Sequence, residues 1–205
     1  MTRGAGFFLG VGDCIEAARI LREDGVELEM TLVGGGGFTE EATSLIDRYG
    51  LSDTVRLAGK LSHDKVIETL KSATLSMAPS WHIYPEGLPM TIYEALATRT
   101  PLALSDHPMF QLYFKDAPAA RMAPERNPKA LAAAIKTLIT DEKAYAAASE
   151  ATGALWDKVR TSEDPAVRRV ARFLDACLDR RGLPSYEFLS RALDCPSGDD
   201  GESGW

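Results

Sequence analysis

Pro79-Ser80-Trp81-His82-Ile83-Tyr84-Pro85-Glu86-Gly87-Leu88-Pro89-Met90-Thr91-Ile92-Tyr93-Glu94 is the stretch that decides how this chain is organised. It follows residues 74–78, a short apolar run of strand length, and leads into a helical pattern over about residues 88–98. Gly87 lets the backbone approach a neighbour closely. Pro89 suits a first helical turn, where its missing N–H costs nothing. The open amides of Gly87, Leu88 and Met90, together with the helix dipole, form a ready anion site. Glu86 and Glu94 place two carboxylates around that cradle. Carboxylates recognise sugar hydroxyls and amides recognise phosphate, a combination that suits a nucleoside diphosphate sugar.

The same alternation extends outward in both directions. Upstream, Ile15, Ala18, Ile20 and Leu21 recur at helical spacing, with Asp13 expected as the N-cap and Gly25 as the stop. Residues 30–33 read as a buried strand stopped by four glycines, 34–37. A helix over 38–49 closes at Gly50. Residues 55–58 form a short strand ending at Gly59, and Ser62 caps a helix to about residue 72. Downstream, 101–104 is a strand, His107 caps a short helix, and 119–122 is a weak last strand. Asn127 and Pro128 form a strong helix start, cap followed by first-turn proline. The chain is then helical, with short breaks, to about residue 181.

Strands alternating with helices predict an α/β fold, a Rossmann-like doubly wound parallel sheet with C-terminal helices. Residues 1–181 read as one domain, and 182–205 as a short helical segment and an acidic tail. Ligands in such sheets bind beyond the carboxyl ends of the strands. That rule singles out 34–37, 59–62 and 79–88.

Bulk composition removes several function classes. The 205 residues carry a net charge of -7, which disfavours nucleic acid and anionic membrane as partners. The three cysteines, Cys14, Cys177 and Cys195, form no Cys-x-x-Cys pair, so no zinc site or disulfide framework is expected. The three histidines, His63, His82 and His107, are scattered. No run approaches the roughly 20 apolar residues of a membrane span. A cytoplasmic protein with reduced cysteines is the expectation.

Glu86-Gly87, followed at the spacing Glu-x7-Glu by Glu94, with Pro79-Ser80 before and Ala95-Leu96-Ala97 after, resembles the motif of group 1 (family four) retaining glycosyltransferases. The likeness continues through Leu32-Val33-Gly34-Gly35-Gly36. It also covers Leu51-Ser52-Asp53-Thr54-Val55-Arg56-Leu57-Ala58-Gly59, the strand at 101–105, and the helix at 127–138. It forms an ordered series over about residues 11–138, which isolated short motifs do not give. The resemblance implies the C-terminal, nucleotide-sugar-binding half of a GT-B fold. By it, Glu86 contacts the donor sugar as the catalytic residue and Glu94 holds the ribose hydroxyls. Gly87 and Leu88 offer amides to the diphosphate, Lys60 and Leu61 frame the base, and Gly35 and Gly36 lie near the donor. The donor is a nucleotide-diphosphate sugar used as substrate; no cofactor or metal is implied. The acceptor is a glycan or lipid, as in polysaccharide synthesis.

The resemblance also implies parts that this sequence lacks. An N-terminal Rossmann-like domain is missing, with whatever acceptor contact and peripheral membrane association it brings. The family's Arg and Lys for the diphosphate precede the helix at Asp13. Here only Arg3 is basic, and Phe7-Phe8-Leu9 stands where the lysine loop belongs. In the strand order 3-2-1-4-5-6 the first strand is central, so its loss leaves a gap in the sheet. Either residues 6–11 fill that gap, or the chain is a fragment that turns over no donor alone.

Each residue also has a plainer role. Single glutamates are mostly solvated surface charges, and only the flanking pattern lifts Glu86 and Glu94 above that. The glycines at 34–37 make a simple strand–helix turn or touch phosphate. His82 is a solvated loop histidine or touches ligand. Trp81 and Tyr84 pack under the loop or stack on ligand. Arg168, Arg169, Arg172, Arg180 and Arg181 form a solvated helix face or an interdomain contact. Against the enzyme half stand two other readings: a non-catalytic sugar-nucleotide-binding or interaction module, and a GT-B epimerase.

Overall fold

A computed structural model describes residues 10–85 and 87–179, the last by its backbone alone. The expectations on Glu86, on Arg3 and the residues to Leu9, on Cys195, and on everything beyond 179 lie outside those residues. In chain order the elements are α1 (Val11–Glu23), β1 (Met30–Val33), α2 (Thr39–Arg48), β2 (Val55–Gly59), α3 (His63–Ser72), β3 (Ser76–Ala78) and α4 (Met90–Ala97). There follow β4 (Leu102–Ser105), α5 (Pro108–Phe114), β5 (Ala120–Ala123), α6 (Pro128–Thr140), α7 (Glu142–Arg160) and α8 (Pro165–Asp179). All strand pairs are parallel, as the alternation requires.

Side-chain alternation on β4 sorts the helices between two faces. Ala103 joins a core with residues of α1, α2 and α6, while Leu102 and Leu104 join a second core with α3, α4, α5, α7 and α8. Successive strand residues point to opposite faces, so three adjacent positions feed two cores. This is the doubly wound arrangement.

The strands fall into two groups, β1–β2 and β3–β4–β5. Among the described residues no strand joins β1 to β3. That is the place where the order 3-2-1-4-5-6 puts its first strand, and none of the described residues fills it. The chain enters α1 beside the gap. Gly10 has φ 76°, and a Cβ on it would sit 1.9 Å from the carbonyl oxygen of Pro79, just after β3. Only glycine meets both conditions.

Helix starts follow the sequence with one correction. Asn127 Oδ1 accepts from the Ala130 amide at 3.0 Å, and Asp141 caps α7 through the amides of Lys143 and Ala144. His107 caps α5 as expected, its Nδ1 accepting from the Met109 amide at 3.3 Å. Asp13 is not the N-cap of α1. Gly10 holds that position without a side-chain bond, and Asp13 sits inside the first turn with its carboxylate turned to a distant tryptophan. The basic run on α8 is only partly a solvated face: Arg172 is exposed, but Arg168 and Arg169 are half-buried and the Arg169 Nε is enclosed.

Candidate functional site

Two loops from the first strand group lie side by side. The Gly34 amide donates to the Gly59 carbonyl at 2.8 Å, tying the end of β1 to the end of β2. A Cβ on Gly35 would stand 3.4 Å from Lys60 Cγ, so the lysine stem runs along the glycine backbone. The Gly36 carbonyl accepts from both the amide and the hydroxyl of Thr39 and closes the first turn of α2. Lys60 is exposed and Leu61 half-buried. Gly35, Lys60 and Leu61 thus gather at one corner, while Gly36 does structural duty as a turn.

Glu94 arrives at that corner from the second strand group. Residues 87–89 lead into α4, whose cap Pro89 makes no side-chain bond and whose first turn carries no acid. The opening amides therefore stay available to an anion. Gly87 is exposed with open space around its Cα, and Leu88 packs its side chain into the second core. Glu94 is only 5% exposed. Its Oε1 lies 3.1 Å from Nδ1 of His63, the first residue of α3 and the third after Lys60. The nucleobase loop and the ribose carboxylate expected from the sequence are joined by this contact. No sequence signal announced it; His63 was only the residue after a capping serine.

Cys177 on α8 is buried, and its thiol is pushed up to about 11, first by burial and then by the negative Asp64 and Glu94. Cys14 is likewise pushed up to about 12 by burial and the neighbouring Asp13. Both are free and buried, and a raised pKa disfavours the thiolate at each.

The loop over 79–85 is held from four sides. Trp81 Nε1 donates to Asp13 Oδ2 at 2.8 Å, and the Arg126 guanidinium lies 4.4 Å over the indole. Burial raises the Asp13 pKa, while the bonds from Trp81 and Arg126 oppose that rise. His82 Nε2 sits 3.1 Å from Asp106 Oδ1, and the His82 amide donates to the Glu125 carboxylate. Asp106 also accepts from the Glu125 amide at 2.8 Å. His107 Nε2 lies 3.0 Å from the Tyr84 carbonyl, and the Ser105 hydroxyl donates to the Ser80 carbonyl. Trp81 is therefore packing beneath the loop, not an open stacking platform. Asp106, Glu125 and Arg126, which the sequence did not single out, are posts of this loop together with Asp13, which the sequence marked only as a helix cap.

A cavity of about 490 Å³ lies elsewhere, lined by Met30, Thr31, Thr54 and Val55 at the amino ends of β1 and β2. It is at the wrong end of the strands for a ligand in this fold. Among the described residues no group of three His, Cys, Asp or Glu is placed to hold a metal, and no helix is long and apolar enough to cross a membrane.

The ordered series of loops and strands extends beyond the motif itself: residues 10–154 match the family model described as glycosyl transferases group 1. The chain belongs to that family. This group 1 chain is 30% identical over 136 residues to the amylovoran biosynthesis glycosyltransferase AmsK of Erwinia amylovora, covering 65% of this chain and 33% of that protein. The group 1 chain thus spans about a third of the length of the curated relatives it matches. In fold it is similar to the C-terminal domain of the group 1 glycosyl transferase LpcC of Francisella tularensis. The TM-score is 0.64 at 16% identity, over 78% of this chain and 82% of that one. It is also similar to Anabaena HepE solved with UDP, with a TM-score of 0.67 at 18% identity, over 84% of this chain and 46% of that one. These glycosyltransferases are what establish the fold class of this group 1 chain: α/β, the C-terminal half of a GT-B architecture.

Proposed function

We propose that the chain supplies the donor-binding half of a retaining glycosyltransferase that moves a sugar from a nucleotide-diphosphate sugar to a glycan or lipid acceptor. One observation carries the reading. Glu94 is buried beside the uncapped start of α4 and meets α3 through His63, immediately beyond Lys60 and Leu61. If Lys60 and Leu61 frame the base and Glu94 holds the ribose, these elements and the α4 amides meet at the carboxyl ends of strands, where this fold takes nucleotides. In this reading Glu94 accepts from the ribose hydroxyls. The amides of Gly87 and Leu88 face the diphosphate, Gly35 lies near the donor, and Glu86 contacts the sugar. A glycosyl transfer with front-face departure of the phosphate needs charge stabilisation more than a protein nucleophile. No metal or cofactor is required.

The acceptor is placed by an N-terminal Rossmann-like domain, in the same or another chain, which also brings peripheral membrane contact on the cytoplasmic side. The curated relatives are about twice as long as this chain, which supports that division. Among the described residues Asp13 is the only charged residue in the first turn of α1, so that turn itself offers the diphosphate no cation. The chain alone is therefore expected to bind donor without turning it over; sugar transfer by the pure chain overturns this. Binding is tested by calorimetric titration with UDP, GDP and ADP and their sugars. One nucleotide is expected to bind selectively and to lose at least about tenfold affinity in Glu94→Ala, the worth of a charge-assisted hydrogen bond. Equal binding by the two proteins refutes the ribose role.

A further inference from the structure

We propose that His63 is the positioning residue for Glu94, so that nucleoside recognition at this site depends on an imidazole from α3. The inference rests on the donor-site reading above and deepens it. A glutamate side chain has three rotatable bonds, and its carboxylate is useful to a ribose only when held in one orientation. On α4 nothing else does this. Among the described residues Glu94 has no ion pair to Lys or Arg, and the one polar side-chain contact it makes with them is the 3.1 Å approach of His63 Nδ1. In the proposed role the Nδ1–H donates to Oε1, which fixes one oxygen and leaves the other to accept.

The imidazole is itself held. It starts α3, and its ring stacks on Phe173 of α8 with centroids 5.1 Å apart at 42°. Phe173 is 3% exposed, so this side of the ring is closed. The remaining nitrogen, Nε2, is enclosed and has no hydrogen-bond partner. A buried nitrogen left unpaired costs stability. A leucine or phenylalanine at this place would pack against Phe173 without that cost. What the imidazole gives in return is the bond to Glu94. The arrangement is a relay in which α8 fixes the ring and the ring fixes the carboxylate.

The test separates the ring's packing from its hydrogen bond. His63→Phe keeps the stack on Phe173 and removes the donor; His63→Asn keeps a donor near Nδ1 and removes the ring. Each full-length chain is titrated with UDP, GDP and ADP and with their 2′,3′-dideoxy counterparts, after circular dichroism has verified folding. The wild type is expected to favour the ribonucleotide by about tenfold or more, as one charged hydrogen bond allows. That preference should fall to about twofold or less in His63→Phe and be largely kept in His63→Asn. A merely structural histidine would weaken both ligands alike and leave the ratio untouched. If Glu94→Ala abolishes the ribose preference while His63→Phe retains it, the positioning role is overturned and the donor site stands. If the folded wild type binds no nucleotide, or binds with no ribose preference, the donor-site reading falls and this inference with it.

Discussion

Replacing Gly10 by alanine is expected to destabilise the protein by far more than one methyl group ordinarily costs. The position has φ 76°, a left-handed conformation that costs an L-residue about 1–2 kcal/mol. The added Cβ would lie 1.9 Å from the Pro79 carbonyl oxygen, and that neighbour is backbone rather than a flexible side-chain end. Ordinary carbon–oxygen contact lies more than 1 Å farther out, so α1 must move away from the end of β3. Cys14, Ile15, Ala17 and Ala18 on α1 are all fully buried, and such a shift resembles overpacking a core, at about 1–3 kcal/mol. The sum is about 3 kcal/mol, or about 6–12 °C in Tm for a chain of this size. Gly25→Ala is the control, because Gly25 has φ 74° but nothing within 4 Å of its would-be Cβ. It should cost only about 1 kcal/mol, or about 2–4 °C. Thermal unfolding followed by circular dichroism measures both. Equal shifts for the two variants would refute the claimed contact between the start of α1 and the end of β3.

Two further perturbations probe the loop posts. Burial raises the Asp13 pKa above its ordinary 3.8, so the folded protein holds that proton to higher pH than the unfolded chain does. Stability from this group is present below pH 3.8 and is lost as pH rises through the raised value. Wild type minus Asp13→Asn stability, by urea denaturation at a series of pH values, should therefore fall across that window; a rise would reverse the assignment. His107→Ala removes the cap of α5 and the contact to the Tyr84 carbonyl, for an expected loss of about 1–2 kcal/mol in the same assay. A loss below about 0.3 kcal/mol would mean that neither bond matters.

Periodicity and end signals carried most of the fold, because they are local. Asn127 before Pro128 and Gly50 after Tyr49 are read within a few residues of the structure they make, and their elements lie where expected. Asp13 was misread for the opposite reason. Its partner Trp81 is 68 positions away, and a carboxylate near a helix start looks locally like a cap. The split of the strands was legible only through the topology that the resemblance implied. The candidate site was half legible as a spatial cluster. The motif named Glu94, and the loops named Lys60 and Gly35. Nothing local marks His63 as their connection, since it lies 31 positions before Glu94 and the contact exists only once α3 packs on α4.

The separation of β1–β2 from β3–β4–β5 has a consequence for how such a site drifts in evolution. Gly35 and Lys60 ride on one strand group and Glu94 on the other, and among the described residues no backbone ladder ties the groups together. What spans them is side-chain packing: α1 against α6 on one face, α3 against α4 on the other. Packing fixes spacing by side-chain volume, where a ladder would fix it by bond length. Ala17 and Ala18 on α1, with Leu131 and Ile135 on α6, share one core and would therefore act as spacers for the proposed donor site. A methyl group gained or lost there shifts Lys60 relative to Glu94 while every loop residue stays the same. Donor preference can diverge between lineages through that seam, with no change in the motif by which the family is known.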